Sequence, residues 1–148
     1  MNLLAPVSTI MNRDLHVVLP DDHIGHIKDI FDRKRIQHIP VVRHGRVVGI
    51  INKQNFRGFY EGLSKHVENK LMSQSLLRLH TAEEVMTKKV FMLETHDRVS
   101  LALEMLKENI FSALPVVDGE KLVGIVTSLD LMKTLAKDKV MEMDYRII

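Results

Sequence analysis

Ala113-Leu114-Pro115-Val116-Val117, Asp118-Gly119-Glu120-Lys121, Leu122-Val123-Gly124-Ile125-Val126-Thr127-Ser128-Leu129-Asp130 decides the fold. Two short runs of mostly β-branched residues flank a four-residue segment containing Asp-Gly, the signature of a tight hairpin. Thr127 then stands three residues ahead of Asp130, directly before the helix-spaced apolar residues Leu129, Met132 and Leu135, so a helix is predicted to start there. The same pattern occurs 75 residues upstream as Ile39-Pro40-Val41-Val42, Arg43-His44-Gly45-Arg46 and Val47-Val48-Gly49-Ile50-Ile51-Asn52-Lys53-Gln54-Asn55.

Residues 11–56 align with 86–131 without a gap, yet only eight of the 46 positions are identical. The repeat is therefore carried by pattern more than by letters. Identical pairs include Met11 and Met86, Asp22 and Asp97, Pro40 and Pro115, Val41 and Val116, Val42 and Val117, and Gly49 and Gly124. Each copy opens with a short apolar segment that reads as a strand, Leu15 to Leu19 and Val90 to Leu93. Asp22 or Asp97 follows as an expected helix N-cap. Next come apolar residues at helical spacing: Ile24, Ile27, Ile30 and Phe31 in the first copy, Val99, Ala102, Leu103, Leu106 and Ile110 in the second. The predicted fold is α+β, two β-α-β-β-α repeats. A unit with so small a sheet cannot bury its own apolar face, so the two should pack sheet to sheet with pseudo-twofold symmetry and leave two related clefts. The expected divisions are repeat one at 1–62, a helical connection at 63–84, repeat two at 85–139 and a tail at 140–148.

Composition narrows the class of function. Apolar residues make up 45% and charged residues 27% of the 148, with 5% aromatics, so the core must be aliphatic. The net charge of +2 is spread among interleaved acids and bases, without a basic stripe, which gives nucleic-acid binding little support. No cysteine means no disulfide framework and no thiolate metal site. The opening Met1 to Met11 has no basic n-region or long apolar h-region, and no run nears about 18 consecutive apolar residues. The expectation is a soluble, cytoplasmic protein with no membrane segment.

The two repeats, each with h-P-V-V, a hairpin and G-h-h-[ST]-x-x-D or its degenerate form, resemble a tandem pair of cystathionine-β-synthase (CBS) domains over essentially the whole chain. Among members, the chain is most similar to short stand-alone CBS-pair proteins, including the acetoin-utilisation type. The resemblance implies a non-catalytic regulatory module that binds AMP, ADP, ATP or S-adenosylmethionine between the repeats and needs no catalytic cofactor. It also implies a homodimer and an as yet unidentified target protein. A ligand-free scaffold with the same fold is the alternative.

Read as chemistry, the Asp130 carboxylate can accept both hydrogens of a ribose diol. Thr127 can offer its hydroxyl, and the first helix amides from Ser128 favour a phosphate. The same Thr-x-x-Asp is equally an ordinary capping arrangement. By resemblance, Val17, Gln37, His38 and Pro40 complete this cleft, with His38 placed where the family often puts phosphate-reaching bases; otherwise it is a surface imidazole at a strand edge. The second cleft is degenerate. Asn52 and Asn55 stand for Thr127 and Asp130, leaving Met92, Ser112 and Ala113 as a base pocket, with Lys53 beside it. No metal site is expected, since His23 and His26 lack a third partner, and no nucleophile is paired with a base. Methionines read as core filler, with Met141 and Met143 in the tail as contacts for a partner.

Overall fold

The computed structural model describes residues 1–109 and 111–138. Ile110, Lys139 and the tail with Met141 and Met143 lie outside the described residues. The repeat-one elements are α1 (Ile24–Arg33), β1 (His38–Arg43), β2 (Arg46–Asn52) and α2 (Lys53–Ser64). Helices α3 (Lys70–Leu79) and α4 (Ala82–Val85) follow. Repeat two comprises β3 (Leu93–Glu94), α5 (Val99–Lys107), β4 (Ala113–Asp118), β5 (Lys121–Thr127) and α6 (Ser128–Asp138).

Both hairpins form as the β-branched runs on either side of a turn predict, and both carry a bulge at the same place, between Val41 and Val42 and between Val116 and Val117. Their turns differ. His44 and Gly45 both have positive φ, at 51° and 79°, the requirement of a type I′ turn. In the second hairpin only Gly119 does, at 63°, so Gly119 fills the first central position where Asp-Gly had suggested a pair.

The opening strands are much shorter than the sequence suggests. In repeat one the segment pairs with β1 only through Val18 and Val41, and in repeat two β3 is two residues long, parallel to β4. Exposure goes with this: Val17 and Leu19 are 41% and 52% exposed and Phe91 and Met92 42% and 43%, so about half of each segment stays outside the core. Asp22 and Asp97 do not cap helices. The N-caps are His23 and Arg98. Each aspartate instead closes the preceding turn, Asp22 Oδ2 accepting from the Leu19 N–H (2.7 Å) and Asp97 Oδ2 from the Glu94 N–H (2.8 Å), a local bond that competes with capping.

The repeats meet through their hairpins, β2 beside β5, and the guanidinium of Arg46 pairs with Glu120 across the tips. Among the described residues the buried side chains form two clusters and not one shared core. One cluster gathers Leu93, Val99, Leu114, Val116, Val126 and Leu131, and the other Val18, Ile24, Ile27, Ile39, Val41 and Phe56. Each is completed by the segment that leads into the other repeat. Val7 and Met11 belong to the second-repeat cluster, and Ala82, with Met86 against it, to the first. Asn12 bridges Ile125 while Thr87 bridges Ile50. This exchange explains two of the identical pairs. A Cβ on Gly124 would lie 2.5 Å from Met11 Sδ and one on Gly49 2.5 Å from Met86 Sδ, so each methionine crosses the strand where only hydrogen fits.

Candidate functional site

A cleft of about 390 Å³ opens where the two repeats meet. One wall is the β5–α6 junction, with Thr127, Ser128, Asp130 and Lys133. The facing wall is the entry to β1, with Arg35, Gln37, His38 and Pro40. The lead-in segment adds Asp14 and His16.

The β5–α6 junction is built by reciprocal capping. The Thr127 N–H and hydroxyl both donate to Asp130 Oδ2, at 2.8 and 2.7 Å, and the Asp130 N–H lies 3.4 Å from Thr127 Oγ1. The capping reading is thus realised. It uses one carboxylate oxygen, and Asp130 Oδ1 has no partner among the described residues, so a carboxylate held rigid by its own turn still presents an acceptor on the cleft wall. At the equivalent junction of repeat one, Asn52 alone caps α2, Oδ1 accepting from the N–H groups of Gln54 (2.8 Å) and Asn55 (3.3 Å). Asn55 is exposed.

His38 is the half-buried centre of the opposite wall. Its Nε2 lies 2.9 Å from Ser112 Oγ and 3.2 Å from Asn52 Nδ2. Burial pushes its imidazole below the ordinary value, opposed by the Asp130 carboxylate.

Of the residues proposed for this cleft, Asp130, Thr127, Ser128, Gln37, His38 and Pro40 all line it. Val17 is 41% exposed and is not among the lining residues. Among those assigned to the second cleft, Ser112 lines the first one and bonds His38. Ala113 is buried and Met92 is 43% exposed. At the positions that correspond to His16 and Ile36, repeat two carries Phe91 and Phe111, in contact with ring centroids 5.8 Å apart. The Asp130 cleft also holds two cations that the motifs do not single out, Arg35 and Lys133. Lys133 was legible, since it falls three residues after Asp130 on one helix face; Arg35 reaches the cleft only through the turn before β1. No group of three or more metal-ligating side chains occurs among the described residues. No described helix is long and apolar enough to cross a membrane.

The family model described as CBS domain matches residues 7–62 and 82–137. The chain is 26% identical over 133 residues to homoserine O-acetyltransferase of Methanosarcina acetivorans, covering 88% of this chain and 22% of that one. It spans from about a fifth to about a half of the first curated relatives it matches. Among solved structures, a putative acetoin utilization protein (AcuB) from Vibrio cholerae superposes with a TM-score of 0.74 at 21% identity, covering 91% of this chain and 93% of that one. The CBS domain pair of protein MJ0100, solved in complex with 5′-methylthioadenosine and S-adenosyl-L-methionine, superposes with a TM-score of 0.71 at 26% identity, covering 92% and 99%.

Proposed function

Because the chain belongs to the CBS domain family, with both repeats matched, we propose that it is a non-catalytic regulatory module holding an adenosine-containing ligand in the Asp130 cleft. The observation that carries this reading is the hydrogen-bonded Thr127–Asp130 turn, with Lys133 on its own wall and Arg35 on the facing one, lining one cleft between the repeats. Asp130 Oδ1 accepts from the ribose hydroxyls, while Arg35, Lys133 and the first amides of α6 meet a phosphate. The similarity to the MJ0100 pair supports the adenosyl class. The two cations favour AMP, ADP or ATP over S-adenosylmethionine, whose sulfonium they would repel. Occupancy is passed on by favouring one packing of the repeats over another. A second copy of the chain pairs with this one through exposed apolar helix residues, among them Leu101, Met132 and Leu135.

A ligand-free scaffold is the second reading, favoured by the internal satisfaction of Asp130 Oδ2 and by Asn52 and Asn55 in repeat one. A thermal-shift panel of AMP, ADP, ATP, S-adenosylmethionine and NAD separates them. At a hundred times its dissociation constant a ligand stabilises by about 2.7 kcal/mol, a rise of roughly 5–10 °C for a chain of this size. The shift is expected for wild type and should vanish in Asp130→Ala. A flat panel establishes the scaffold; a shift that Asp130→Ala retains moves the site elsewhere.

A further inference from the structure

Asn52 stands where repeat two has Thr127, and its amide faces two ways. Oδ1 accepts from two backbone N–H groups, of Gln54 and Asn55, which fixes which end of the amide is oxygen. The other end, Nδ2, can only donate, and it lies 3.2 Å from His38 Nε2. Its other acceptor in reach, Ser112 Oγ, is farther at 3.5 Å, so the nearer contact puts the lone pair on Nε2 and the proton of neutral His38 on Nδ1. The Ser112 hydroxyl, 2.9 Å from Nε2, can rotate to donate to that nitrogen. An imidazolium would set its Nε2–H against the amide hydrogens of Asn52. Nδ1–H has no partner among the described residues, and His38 lines the cleft.

We propose that Asn52, supported by Ser112, is a positioning residue for the opposite cleft: it locks His38 as the neutral Nδ1–H tautomer, so that the imidazole meets the ligand as a single hydrogen-bond donor and not as a cation. On this view the altered motif of repeat one serves the site of repeat two. The ligand half of the proposal rests on the function proposed above, whereas the tautomer half does not. Charges around His38 act on both sides. Asp130 on α6 and Asp14 in the lead-in segment favour the imidazolium. Arg35 before β1 and Lys133 on α6 line the same cleft and oppose it, and His16 in the lead-in segment lines it too. Burial adds to the opposition.

Long-range ¹H–¹⁵N NMR of the ligand-free chain reads the tautomer directly. Wild type is expected to show His38 protonated at Nδ1 and bare at Nε2. Asn52→Asp keeps a good N-cap but replaces the donor with an acceptor, so the proton should move to Nε2 and the His38 titration midpoint should rise. Ser112→Ala should leave the tautomer unchanged, because Asn52 alone dictates it. Protonated Nε2 in neutral wild-type His38, or an Asn52→Asp spectrum with the wild-type tautomer and midpoint, overturns the assignment. The ligand half is read from AMP affinity against pH by calorimetry. The step due to His38 should move to higher pH in Asn52→Asp; superimposable profiles overturn the positioning role even if the tautomer is right. If wild type binds none of the adenosyl compounds, the proposed function fails and takes the ligand half with it, while the spectra alone still decide the tautomer.

Discussion

The ungapped repeat gives residues that line the cleft a counterpart in the other repeat, and the two sets part company in a regular way. Backbone contacts and close packing are kept: Met11 over Gly124 is matched by Met86 over Gly49, and Asn12 with Ile125 by Thr87 with Ile50. Side chains that face a cleft are not. Thr127 and Asp130 correspond to Asn52 and Asn55, His38 to Ala113, Lys133 to Gly58, and His16 with Ile36 to Phe91 with Phe111. The exchanged lead-in segments must fit both halves for either to have a complete core, so packing holds the symmetry. On the proposed function a ligand needs only one cleft, so the corresponding side chains of the other repeat are under no such constraint.

The largest test of that comparison is to rebuild the altered cleft. Asn55→Asp restores the missing carboxylate at the third residue of α2 without touching Asn52. It is expected to leave binding at one adenosyl ligand per chain, because the contacting rings of Phe91 and Phe111 still stand where the open cleft has smaller groups. Adding Phe91→His and Phe111→Ile should raise the calorimetric stoichiometry to two. A second equivalent with Asn55→Asp alone would mean that charge, not ring volume, separates the clefts.

A smaller effect is expected from the glycines. Gly124→Ala and Gly49→Ala each drive a methyl group into a methionine side chain, and overpacking of this kind costs about 1–3 kcal/mol. Thermal unfolding should show similar losses for both, since the packing is symmetric, and on a Met11→Ala background, itself less stable than wild type, Gly124→Ala should cost little more. Ligand affinity should not be symmetric. Gly124 adjoins Ile125, which lines the open cleft with Asn12, so Gly124→Ala weakens binding and Gly49→Ala leaves it alone. Equal effects on affinity would contradict the assignment of one working cleft.

What was legible in the sequence follows the same division. Hairpins and helices were visible because they are written locally, in the β-branched runs on either side of Asp118-Gly119 or the spacing of Ile24, Ile27 and Phe31. The Thr127–Asp130 turn was visible for the same reason, and Gln37, His38 and Pro40 were reached through resemblance to a family. The exchange of lead-in segments was not legible: Met11 and Met86 stood out as an identical pair, yet nothing in local pattern says that each crosses the other repeat's glycine. Nor could spacing reveal that Ser112 bonds His38, 74 residues away in sequence. Asp22 and Asp97 were misread because an acidic residue before a helix suits both a cap and a turn, and the turn won.

The smallest effect separates His38 from its counterpart Ala113, which has no proton to exchange. Burial holds the folded-state affinity of His38 for a proton below its ordinary value of 6.5. The unfolded chain then binds a proton first as pH falls, so stability is intact above 6.5 and declines from there down through the lower folded midpoint. Asp130 opposes the shift, which keeps the decline shallow. Unfolding midpoints measured from about pH 8 to about pH 5 should therefore slope downward at the acid end, and His38→Gln, which keeps a neutral polar group, should remove the part due to this residue. Asn52→Asp should also flatten it, because a carboxylate beside Nε2 lets the folded protein accept the proton that the wild-type amide repels. If His38→Gln leaves the acid slope unchanged, the imidazole titrates freely in the folded chain, and the contact that ties the altered junction of repeat one to the working cleft of repeat two does not hold in solution.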